Sequence, residues 1–132
     1  MLIRNLDNLI EITPLERVPA HLPTPGDTRF AVRIQSENFA GEGTAWVDWP
    51  TLQQFSRDLT ALELNRKGQA ELRSMSPGDF LLIIKTVDGW GHTAVAGRLA
   101  VRKHAVEFDF EFDCDHLAAI ASEFTELAQP VS

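Results

Sequence analysis

The chain has 132 residues, 44% hydrophobic and 23% charged, and its 12 Lys and Arg against 19 Asp and Glu give a net charge of −7. That length suits one domain, residues 1–132, with a core of its own, and a single cysteine excludes an internal disulfide framework. No apolar run exceeds Phe80 to Ile84 in length, far short of the roughly 20 residues of a membrane helix, and Met1 to Asp7 lacks a signal-peptide layout, so a soluble, cytoplasmic protein is expected.

Asn8 to Ile12 predicts a short edge strand. Residues 13–27 then hold four of the seven prolines (Pro14, Pro19, Pro23, Pro25) and Gly26. Proline fixes φ and lacks an N–H, so this stretch reads as an irregular surface loop. From Thr28 the two-residue period of a half-buried strand begins, with Phe30, Val32 and Ile34 on one face and Arg29, Arg33 and Gln35 on the other. Ser36-Glu37-Asn38 turns the chain into a second strand, Phe39 to Asp48. Its Gly41-Glu42-Gly43 points to a bulge or a close backbone approach, since a phosphate loop needs a third glycine, a lysine and a following helix.

Asp48-Trp49-Pro50-Thr51 is a helix start, with proline in the first turn where its missing N–H costs nothing. Leu52, Phe55, Leu59 and Leu62 follow as one apolar stripe, and the helix ends near Asn65, before Gly68. Four strands then read from Gly68 to Asp113, divided by Pro77-Gly78-Asp79, Asp88-Gly89-Trp90-Gly91 and a turn near Lys103-His104. The last strand alternates Val106, Phe108, Phe110 and Phe112 with Glu107, Asp109, Glu111 and Asp113. Asp115 is placed to cap a final helix, whose stripe of Leu117, Ile120, Phe124 and Leu127 repeats the spacing of the first, 65 residues on. The expected order is β-β-β-α-β-β-β-β-α: an α+β domain in which an antiparallel sheet of six to seven strands carries both amphipathic helices on one face.

Charge is concentrated at one end. Residues 1–103 balance 12 acidic against 12 basic residues, while 104–132 hold seven acidic residues and no Lys or Arg. Such an end repels nucleic acid and anionic lipid, so neither is an expected partner, and it attracts basic ones. The row Glu107, Asp109, Glu111 and Asp113 occupies one face of its strand. With the turn at Lys103-His104, Arg98 falls opposite Asp109, and Arg98 and Arg102 partly neutralise the row. It is then either a solvated face braced by cross-strand pairs or a docking surface.

Catalytic signatures are missing: there is no nucleophile elbow, no His-Glu-x-x-His and no zinc-type cysteine pair. Cys114 stands between Asp113 and Asp115 with His116 next, but successive residues rarely converge on one ion, so no metal or other cofactor is expected. The expectation is a binding protein and not an enzyme. The rivals are a small enzyme or ligand-binding protein, with a pocket between helices and sheet that includes Asp88, Trp90 and His92, and a subunit that homodimerises through a sheet edge.

Residues from about 28 to 128 carry a resemblance. Phe39-Ala40-Gly41 leads to Trp46-Val47-Asp48, then Leu52, Phe55 and Leu59, then Gly68-x-Ala70-x-Leu72-x-Ser74. Asp88-x-x-Gly91-His92 runs into Val95-x-Gly97-x-Leu99, and Phe108-x-Phe110-Glu111-x-Asp113 precedes Leu117. In order and spacing this resembles the WapI-type immunity proteins of bacterial contact-dependent toxin systems. Cys114-Asp115-His116 departs from it, standing where that pattern has a Gln-Thr-like pair. The resemblance implies a protein that binds and neutralises a cognate toxin domain inside the producing cell. Nuclease toxins have basic, phosphate-binding active sites, so the expected contact is Glu107, Asp109, Glu111, Asp113 and Asp115.

Overall fold

The computed structural model describes residues 1–88 and 92–131. Its elements are β1 (Leu2–Asn5), β2 (Asn8–Arg17), β3 (Thr28–Ser36), β4 (Phe39–Val47), α1 (Trp49–Asn65), β5 (Gln69–Arg73), β6 (Phe80–Thr86), β7 (His92–Val101), β8 (His104–Asp113) and α2 (Leu117–Leu127). The fold is α+β and every strand pair is antiparallel. The strands form two four-stranded meanders, β1-β2-β3-β4 and β5-β6-β7-β8, and not the single sheet of six to seven strands expected. Two-residue periodicity reports which face of a strand is buried, but it carries nothing about whether strands on either side of a helix pair. No described helix is long and apolar enough to cross a membrane.

The start of the chain differs most from expectation. β1 has one buried residue, Ile3, too few to set up a period. It covers the outer side of β2, which makes Asn8–Ile12 interior to its sheet and not an edge. β2 also continues through Pro14 to Arg17, so the irregular loop is limited to residues 18–27. Pro14 is tolerated because the pairing with β1 stops at Glu11, leaving an open edge where no N–H is required, and the register slips between Pro14 and Glu16. The loop is closed by backbone bonds from Val18 N–H to Asp27 O at 2.8 Å and from Gly26 N–H to Val18 O at 2.9 Å.

β8 runs steeply across the first sheet. Val106 Cγ2 lies 2.8 Å from where a Cβ on Gly41 of β4 would fall, Ser36 at the end of β3 shares a groove with Glu107 and Asp109, and Asn5 of β1 bonds to Glu111. β8 therefore crosses the first sheet from its β4 edge to its β1 edge, the geometry of orthogonally packed sheets. The two glycines serve this approach. A Cβ on Gly41 would stand 2.8 Å from Val106, and one on Gly43 2.8 Å from Val101, so the close-approach reading of Gly41-Glu42-Gly43 holds and β3–β4 pairing is regular.

Both helices bury their stripes in one core with the inner faces of both sheets. Leu52, Phe55, Leu59, Leu117, Ile120 and Phe124 are all at most 3% exposed. Phe55 meets Phe124 edge-to-face at 4.8 Å, and Phe124 reaches Phe30 of β3 at 6.3 Å. Asp48 caps α1 by accepting from Thr51 N–H at 2.8 Å, at the helix start that Asp48-Trp49-Pro50-Thr51 predicts. The last carbonyls of α2 are held from the first sheet, where Arg17 Nη2 donates to Leu127 O at 2.9 Å, a cation at the negative end of the helix.

The order β-β-β-β-α occurs twice, and from the third strand of each run onward the two keep an offset of about 65 residues. Buried Thr28 and Thr93 open corresponding strands, opposite Val47 and Phe112. Glu37 and Arg102 turn corresponding hairpins at φ 56° and 58°. Asp48 and Asp113 each cap the helical turn next to them, and the two helical stripes coincide. Each helix leans on the other unit's sheet: α1 packs on β5 and β6, while α2 reaches Phe30 and Arg17.

Candidate functional site

Phe108, Phe110 and Phe112 are 4–7% exposed, which turns Glu107, Asp109, Glu111 and Asp113 outward along one edge of the second sheet. Residues two apart on a strand lie about 7 Å apart, so neighbouring carboxylates repel in water by only about 0.6 kcal/mol each, yet their fields add.

The hairpin turn is Arg102-Lys103, one residue earlier than expected, because Val101 pairs with His104. This corrects the predicted cross-strand partners. Arg98 stands opposite Glu107, not Asp109, with Nε 3.7 Å from Oε1, and it also donates to Gly78 O. Asp109 faces Ala96 and Glu111 faces Ala94, while Asp113 faces His92. Arg102 occupies the turn itself. Among the described residues, Arg98 on Glu107 is the single ion pair made by the row, so bracing is confined to one end.

At the far end Asp113, not Asp115, is the cap: its Oδ1 accepts from Asp115 N–H at 3.0 Å and starts a 3-10 turn over Cys114–His116 that leads into α2. An aspartate that ends a strand reaches the first free N–H better than one inside the turn. Asp115 is exposed, and the ligand atoms of Asp113, Cys114 and Asp115 lie within 4.8 Å of one another. One Asp113 oxygen is engaged as the cap and Cys114 is packed partly into the core, so the trio is accounted for as a helix start.

An open groove of about 480 Å³ adjoins this end, lined by Arg4, Asn5, His92, Glu111, Asp113 and His116, among others. His92 Nδ1 lies 2.6 Å from Asp88 Oδ2. That hydrogen bond, then the Asp88 charge, and a weaker pull from Glu111 raise the His92 pKa above its ordinary value. The rival pocket was expected between helices and sheet; Asp88 and His92 instead stand at the rim of the second sheet, and Trp90 lies outside the described residues. Arg4 and two imidazoles stand on its walls beside Glu111 and Asp113, whereas Asp109 in the middle of β8 faces Ala96.

Two residues beside the row escape a sequence reading. Leu6, in the β1–β2 turn, is 89% exposed, and Phe39, closing the β3–β4 turn, is 73% exposed. A single apolar residue in a turn carries no period, and only the crossing of the sheets brings Asn5, next to Leu6, and Ser36, paired with Phe39, to β8. Searches of family models, curated proteins and solved structures give no match to this chain.

Proposed function

We propose that this chain is a non-enzymatic immunity-type inhibitor, which binds and neutralises a cognate bacterial toxin domain in the cytoplasm of the producing cell. The resemblance over residues 28–128 supplies the class. The observation that carries the docking face is the row Glu107, Asp109, Glu111 and Asp113 on an edge strand, opposed by Arg98 at one end, by His92 at the other and by alanines in its middle. Carboxylates left without cations attract a basic surface and speed its encounter. A nuclease domain fits, since its phosphate-binding groove accepts carboxylates at the same positions. Asp115 extends the row toward α2.

The test is co-expression with the polypeptide encoded by the neighbouring reading frame. Protection of the cell by this chain, together with a stable 1:1 complex, is the expected result. A neighbouring toxin that kills despite abundant folded inhibitor contradicts the proposal.

A further inference from the structure

The two hairpin tips of the first sheet overhang the acidic edge of the second, and each carries an apolar side chain without cover. Asn5, the residue before Leu6, donates from Nδ2 to Glu111 O at 2.7 Å. Ser36, paired with Phe39 across its turn, shares a groove with Ala96, Glu107 and Asp109. The tips are joined to each other, since Glu37 N–H donates to the Asn8 side chain at 3.3 Å. Hairpins two strand spacings apart place Leu6 and Phe39 on the order of 10 Å from each other. Scattered exposed apolar residues are ordinary. Here two of the most exposed ones in the chain sit on adjoining tips beside a row of carboxylates.

We infer that Leu6 and Phe39 are apolar anchors flanking the acidic row, and that the surface takes a cationic amphipathic helical segment in which a stripe of lysines or arginines adjoins a stripe of apolar side chains. This rests on the docking face proposed above and deepens it. Charge selects the occupant. Lipid headgroups and nucleic acids present phosphates, which the carboxylates repel, and a second copy of this chain would set one acidic row against another. A basic segment meets the row with its cations, while its apolar side chains cover Leu6 and Phe39. Interfaces concentrate their energy on such buried anchors, with charges at the rim governing approach.

The probes are two helix-forming peptides of about 18 residues, ~27 Å long, with the same stripe of lysines and either leucine or alanine along the adjoining stripe. The leucine peptide is expected to bind at least ten-fold more tightly and to shift the Leu6 methyl, Phe39 ring and β8 amide resonances. The L6N/F39S double variant, altered only at exposed positions, is expected to lose that ten-fold preference and keep its affinity for the alanine peptide. The E107K/E111K double variant is expected to bind both peptides more weakly. Equal binding of the two peptides, no binding of either, or a preference that survives L6N/F39S overturns the inference. The toxin reading fails separately: if co-expression gives no protection while the peptide preference holds, the surface stands and its assignment to a toxin falls.

Discussion

Asn5 and Glu111, 106 residues apart, are tied by one hydrogen bond of 2.7 Å from the Asn5 amide to the Glu111 carbonyl. The bond fixes the end of β1 to the C-terminal part of the acidic strand. It serves a carbonyl that an edge strand otherwise leaves to solvent, and the Glu111 carboxylate still points outward. The same crossing makes the packing of the two sheets the main determinant of both core and candidate site.

Phe55 and Phe124 lock α1 to α2, and Phe124 reaches Phe30 of the first sheet. Truncating either to alanine is expected to cost about 3–5 kcal/mol in denaturant titration. The double variant should lose less than the sum of the two, because the second truncation removes a ring whose partner is already gone. Additive losses would place the two rings in separate environments.

Gly41 and Val106 are complementary. A Cβ on Gly41 stands 2.8 Å from Val106 Cγ2, so Gly41→Ala is expected to destabilise the fold by about 1–3 kcal/mol through overpacking. Combining it with Val106→Ala, which withdraws the obstructing methyls, should return much of that loss. If the second change brings no recovery, the close approach of β4 to β8 is not what requires glycine.

The repeated units are interdependent, because each helix leans on the other unit's sheet. Separate polypeptides 1–66 and 67–132 each expose an apolar stripe and sheet face, and neither is expected to fold as a monomer. Mixed in equal amounts, they should regain native circular dichroism and a cooperative melt. Two independently folded monomeric halves would contradict this exchange.

His92 titrates above its ordinary value of about 6.5, chiefly because Asp88 accepts its hydrogen bond and secondarily through the Asp88 charge. A raised folded-state pKa means that the stabilisation by the pair is complete below the unfolded value and fades as pH rises through the folded one. A ring titration followed by NMR should show a raised midpoint, and Asp88→Asn should bring it back toward the ordinary value. A midpoint that Asp88→Asn leaves unchanged would show that another group holds the proton.

The helices were legible in the sequence because Asp48, Pro50 and the two stripes state a start, a face and an end within one short segment. β8 was legible for the same local reason, with three phenylalanines and four acids in strict alternation. The division into two sheets was not, since nothing in β4 or β5 says whether they pair across α1. One residue of turn position at Arg102 decided whether Arg98 met Asp109 or Glu107, and composition there gives no signal for the left-handed backbone that Arg102 adopts. The acidic row was thus visible, but its partners and the apolar tips beside it depended on register and sheet crossing.

The most direct measurement of the central claim is the association rate of the cognate toxin domain with the E107K/E111K double variant across a range of ionic strengths. Both residues are exposed, so an unchanged circular dichroism spectrum and melt are expected. A docking face on β8 predicts slower association and a flatter salt dependence than the parent chain, because steering by the row is lost. Unaltered association at low ionic strength in the folded variant would contradict it and make the row a solvated face.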